Sequence, residues 1–290
     1  MMDGVGKLAL GSAQFGLNYG VSNTRGRTPD GEVAAILGRA QGAGIRLIDT
    51  ASAYGEAEAT LGATLPSPCP FQLVTKTPPG GSPAEIDNAA RQSLQMLWLP
   101  SAYGLLCHAA KDLLVVGGGE VWRAMETLKG EGLFSKIGIS AYASDDPVAL
   151  ARRFRPDIMQ LPVSLLDQQL IQSGALETLA EMGVEVHLRS VFLQGLLFVP
   201  LERLPGRLSG SAARLKRVRM QLAEAGVSPL AAAVRFALDR PEAAFAVVGV
   251  TGLAEFDEVL AAARAPVPDL PWAEMALDDP VTLDPRRWAA

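Results

Sequence analysis

Four side chains able to hold or move a proton recur in this 290-residue chain at the ends of short apolar runs or just beyond them: Asp49, Tyr54, Lys76 and His108. Asp49 follows Leu47 and Ile48, and a buried carboxylate costs several kcal/mol unless it is paired. Lys76, closing the next apolar run, is the cation that Asp49 requires. Tyrosine keeps its proton at neutral pH, with a reference pKa of about 10, and can give it to a developing alkoxide if an ammonium stabilises the charge left behind. General acid help of this kind is worth about 10²- to 10⁴-fold in rate. His108 then orients an incoming carbonyl oxygen. Taken singly, each residue has a plainer use, as a helix cap, a solvated lysine or a core histidine. Three ionisable residues in one position on three successive runs favour the chemical reading. His187 lies inside a run and reads as core.

Those positions demand strands that deliver their last residues to one place. Runs with strand character cover 8–11, 45–49, 71–76, 103–108, 136–140, 158–161, 184–188 (or 189) and 245–249. Helical segments fall between and after them, at 29–42, 56–65, 83–97, 120–129, 147–154, 175–182, 211–225 with 229–239, and 253–263. Eight rounds without a linker predict one domain over 1–290, a closed (β/α)8 TIM barrel whose site lies at the C-terminal strand ends. The first turn, Gly11 to Gly16, lacks the G-x-G-x-x-G of a dinucleotide-binding open sheet. The segment 194–210 is long and rich in Gly and Pro, as lids and binding loops are.

Composition narrows the class. With 49% hydrophobic and 20% charged residues the chain is globular, and its net charge of −5 argues against nucleic acid as the main partner. Arg214, Lys216, Arg217 and Arg219 form a basic patch that reads as a solvated helix face. Cys69 and Cys107 read as reduced thiols, no metal-ligand cluster appears, the N-terminus shows no basic segment leading into an apolar run with a cleavage site, and no apolar window is long enough for a membrane span. A cytoplasmic protein is expected.

Ile48-Asp49-Thr50-Ala51, then Tyr54-Gly55 with Glu58, then Val74-Thr75-Lys76, then Leu106-Cys107-His108 resemble in order and spacing the tetrad of the aldo-keto reductase superfamily. The likeness covers essentially the whole chain. It implies a barrel that reduces carbonyls with NADP(H) or NAD(H) bound across the mouth, Tyr54 as acid, Lys76 and Asp49 tuning it, and His108 positioning the substrate. It implies nicotinamide contacts at Ser140 and Gln160, with Ala141 where an asparagine often stands. The usual stacking aromatic is replaced by Arg189, just before Ser190. The last βα loop, Gly249 through Thr251 and Glu255 to Glu258, is where the resemblance puts cations for a 2′-phosphate. A carboxylate there repels phosphate and suits a ribose hydroxyl, so selectivity is expected to be relaxed or shifted toward NAD. The competing arrangement turns Glu255 to solvent and meets the phosphate with Arg235 or another cation.

The stretch Leu10 to Gly20 and the terminal Asp284-Pro285-Arg286-Arg287-Trp288 are similar to bacterial members associated with carbohydrate metabolism. The partner implied is a small-molecule carbonyl compound, with a carbohydrate-related one as the candidate. Trp272, Trp288, Arg286 and the 194–210 segment are candidates for shaping its pocket, against a plainer role for the tail, about 266–290, as cover for the barrel. Two rivals stay open: an aldolase forming a Schiff base on Lys76, and a sensor that binds the nucleotide with little turnover.

Overall fold

The structure is a computed structural model and describes residues 4–288; residues 1–3 and 289–290 of the expected domain lie outside the described residues. Eight parallel strands close on themselves in chain order, with β8 pairing back to β1. They are β1 Leu8–Gly11, β2 Leu47–Asp49, β3 Gln72–Lys76, β4 Ala102–Cys107, β5 Phe134–Ser140, β6 Ile158–Pro162, β7 Glu185–Arg189 and β8 Ala243–Gly249. The surrounding helices are α1 Asp30–Gly42, α2 Ala57–Thr64, α3 Pro83–Met96, α4 Gly118–Gly130, α5 Pro147–Phe154, α6 Ala175–Glu181, α7 Ala212–Glu224, α8 Pro229–Leu238 and α9 Leu253–Arg264. β2 begins two residues later than the apolar run suggested, and His108 falls one residue beyond β4. Among the described residues no helix is long and apolar enough to cross a membrane.

Local chemistry sets the helix starts. Ser82 and Glu85 cap α3 reciprocally, with Pro83 in the first turn, and Ser228 caps α8 ahead of Pro229. Strand alternation divides the apolar residues into two cores. Leu8, Leu10, Ile48, Leu73, Leu105, Ile139 and Leu161 pack outward against the helices. Ala9, Leu47, Val74, Leu106, Ile158, Phe245 and Val247 fill the barrel as a separate cluster. Because side chains alternate with period two, the next inward position along these strands is Gly11, Asp49, Lys76, His108, Gln160 or Gly249. The polar residues at the strand ends therefore face into the mouth of the barrel above the apolar fill.

A separate polar group closes the opposite end. Tyr103 Oη donates to Glu185 Oε2 at 2.8 Å, Lys136 pairs with the same carboxylate, and His187 Nε2 lies 2.7 Å from Glu185 Oε1. His187 is fully buried with its ring edge-on to Phe245, the core role expected of it.

Candidate active site

A cavity of about 870 Å³ opens at the C-terminal ends of the strands, and all twelve residues singled out from the sequence line it, from Asp49 to Glu258. Lys76 is 1% exposed and spends its three N–H groups inside the barrel. Nζ donates to Asp49 Oδ2 at 2.6 Å, to the Thr50 carbonyl at 2.8 Å and to the Tyr54 oxygen at 3.4 Å. Burial alone would lower its pKa; the Asp49 charge and the Tyr54 contact outweigh that and hold it above the ordinary lysine value. A lysine kept protonated this way is in the wrong state to form an imine, which weighs against the aldolase reading.

Asp49 is satisfied on both oxygens, because Gln160 Nε2 donates to Oδ1 at 2.6 Å. This second duty of Gln160, bracing the ion pair from across the barrel, is absent from the sequence reading. Nothing marks it before β2 and β6 face each other through the interior. Glu58 stays outside the cavity: buried, with its pKa raised chiefly by that burial, it accepts from Thr75 Oγ1 and braces the strand beside Lys76.

Tyr54 stands on the loop after β2, pressed from below by the short helix Ala13–Gly16. A Cβ at Gly16 would lie 1.8 Å from the Tyr54 carbonyl oxygen, so the close approach requires glycine there. The imidazole of His108 meets the phenol ring edge-on, with 5.8 Å between centroids. Burial first, and the Lys76 charge second, push its pKa down to about 4, and its Nδ1 is buried without a partner. Cys107 beside it is inert, its thiol pushed up to about 12 mainly by burial.

The end of the cavity expected to hold a nucleotide is built differently from the expectation. Ser140 and Gln160 are register partners, buried, and Gln160 Oε1 is an acceptor with no partner, as a site for a carboxamide N–H requires. Arg189 and Ser190 follow at the end of β7, with Arg189 Cζ 4.2 Å from the Tyr142 ring centroid. Glu255 is exposed, as the competing arrangement has it, yet it folds back on its own helix: its Oε2 accepts from Thr251 N at 2.5 Å and from Thr251 Oγ1 at 2.9 Å, closing the first turn of α9. Glu32 takes the amide two residues on, Leu253 N, at 2.7 Å. Arg235 is not the missing cation. It donates to the Ala263 carbonyl at 2.8 Å and pairs with Asp239, at the far end of α9. Arg25, from the loop after β1, is the cation at this helix start, 3.8 Å from Glu32.

Of the pocket candidates, Arg286 and the 194–210 segment reach the cavity, the latter through Gln194, Phe198 and Arg203. Trp272 instead packs on Phe236, and Trp288 donates to the Val281 carbonyl at 3.0 Å, so both hold the tail in place. Arg214 and Arg219 are not merely solvated. They donate to the carbonyls of Glu274 and Ala276 and of Val199 and Leu196, pinning the tail and the long loop. Tyr19, Tyr142 and Gln14 also line the cavity and were missed, since loop tyrosines and a lone glutamine carry no periodicity to single them out.

Comparison with known proteins points one way. The model of the aldo/keto reductase family matches residues 7–276. A D-threo-aldose 1-dehydrogenase from a Pseudomonas species is 28% identical over 315 residues, covering 92% of this chain and 95% of that protein. An aldo-keto reductase from Bacillus halodurans, solved in its holo form, shares the fold with a TM-score of 0.72 at 22% identity, over 91% of this chain and 88% of the other.

Proposed function

The chain belongs to the aldo/keto reductase family and is an oxidoreductase, and from that premise we propose that it interconverts a carbonyl compound and its alcohol with Tyr54 as the proton donor. The observation that carries the reading is the buried chain from Asp49 through Lys76 to Tyr54. Because Lys76 donates to the phenol oxygen, the phenol proton is free for a substrate oxygen in the same cavity. The ammonium stabilises the charge that develops as this proton leaves, and Asp49 with Gln160 keeps the ammonium in place. Neutral His108 orients the carbonyl.

Bound NADH or NADPH supplies the hydride. Ser140, Gln160, Arg189 and Ser190 are assigned to its nicotinamide, and Gly249, Thr251, Glu255 and Glu258 to its other end. The carboxylates of Glu32 and Glu255 already hold amides at the start of α9, and with Glu258 they outnumber Arg25 there, so that end is net negative. This supports NAD(H) being accepted at least as readily as NADP(H). The substrate we assign is an aldehyde, ketone or sugar-like carbonyl, and the likeness to an aldose dehydrogenase favours the sugar.

The test is nicotinamide turnover with a panel of aldehydes, ketones and aldoses. Tyr54→Phe is expected to lower kcat about 10²- to 10⁴-fold and to leave nucleotide Kd unchanged. Parent-like turnover in that variant would remove Tyr54 from the role.

A further inference from the structure

The guanidinium of Arg189 enters the cavity without a carboxylate partner among the described residues. Nη2 donates to the Ala141 carbonyl and Nη1 to Ser190 Oγ, each at 3.2 Å, while the Tyr142 ring covers one face. Nε is buried and unpartnered. A plane held along its edges and on one face has its other face left for a ligand. The surrounding charges are engaged elsewhere: Lys76 with Asp49, and Arg286 with Asp284. Asp167, which feels Arg189 from the loop after β6, accepts from Gln169 N and Nε2 instead.

The location gives this charge a consequence. Arg189 reaches over the tops of β5 and β6, bonding the residue that follows Ser140, and Gln160 Oε1 is the orphaned acceptor on the neighbouring strand. A nicotinamide whose carboxamide donated to Gln160 Oε1 would share the cavity wall with the guanidinium. The oxidised ring carries a positive charge and the reduced ring none, so a fixed cation treats the two forms unequally.

We propose that Arg189 sets the redox preference of this site, weakening the oxidised dinucleotide relative to the reduced one and biasing the bound reaction toward oxidation of the alcohol. In that direction a bound oxidised nicotinamide would take up the hydride of the carbinol carbon and lose its charge. The hydroxyl proton would pass to Tyr54 Oη as the phenol's own proton leaves for solvent, with the Lys76 ammonium beside the oxygen. Removing a cation–cation contact relieves the system, which is why the charged platform favours the neutral ring. The proposal rests on the oxidoreductase reading above.

Calorimetric titration of the whole protein with NAD⁺, NADH, NADP⁺ and NADPH tests it without turnover. The reduced forms are expected to bind roughly tenfold more tightly, since unit charges about 5 Å apart at an effective dielectric constant of about 20 leave at least that much after screening by solvent. Arg189→Gln should bring the ratio to within about twofold, chiefly by tightening the oxidised forms, while Arg189→Lys should keep most of it. A parent ratio near one overturns the proposal even if neither variant folds, and so does a ratio that survives Arg189→Gln. Either result leaves the oxidoreductase reading intact, whereas failure of all four nucleotides to bind overturns both.

Discussion

His108 shows how one side chain ties stability to the site. Its neighbours keep the folded imidazole neutral down to about pH 4, whereas an imidazole in the unfolded chain titrates near 6.5. Between those values the unfolded state binds a proton that the folded state refuses, so stability falls as pH is lowered through the window. One differential proton makes a slope of up to about 1.4 kcal/mol per pH unit. Urea unfolding of the parent from pH 7 to 5 should show this slope, and His108→Asn should flatten it; equal slopes would mean that other groups are responsible. At the same scale the tetrad was legible in the sequence because each member ends or closely follows an apolar run. Gln160 was legible as a strand residue but not as the brace of Asp49, a contact made across 111 positions of chain.

At the scale of elements, α9 and the loops around it are where expectation and structure part. The carboxylate read as facing a phosphate or solvent is exposed but also closes its own helix, and the cation offered as its substitute sits at the other end of that helix. Losing the interaction in Glu255→Ala should cost about 1 kcal/mol in unfolding free energy, as for other helix-start contacts. Glu255→Gln, which can still accept from Thr251, should cost less. Both variants remove a negative charge, and both should shift the NADPH-to-NADH affinity ratio toward NADPH by about fivefold. A variant that moves stability but not the ratio would confine Glu255 to capping. The loop after β7 was legible as unusual, yet its shape was not. Ser190, Leu193 and Gln194 all adopt left-handed backbone with φ of 58°, 44° and 53°, which no local composition announced. The Gln194 carbonyl then accepts from Val21 N at 3.1 Å, joining this loop to the one after β1 above the cavity.

Across the whole molecule, the tail from about 266 runs back over the loops that follow β6 and β7. Met275, Leu277 and Leu283 are buried, and Leu277 N donates to the Leu166 carbonyl at 2.8 Å. Arg286 arrives 3.7 Å from the centre of the Tyr142 ring, so the tail supplies both cover and part of the cavity wall. Ending the chain at 267 should cost roughly 3–6 kcal/mol, at about 2 kcal/mol for each of the larger buried side chains less what the unfolded chain already buries. Thermal melting would register that as a drop of many degrees. A melting point within a few degrees of the parent would show that the tail is a loose cover.

What the sequence by itself determined is whatever depends on short-range order. Alternation of eight apolar runs with helical segments specifies the barrel, and the barrel's twofold side-chain period points Asp49, Lys76 and His108 into its mouth. The tertiary structure decided how those groups are satisfied. It gave Asp49 a second donor, closed Glu255 onto Thr251, turned Arg235 away and left Arg189 charged beside an orphaned acceptor. A buried polar atom takes whichever partner the closed barrel brings within about 3 Å, and that partner is set by strand register and loop path rather than by nearness along the chain.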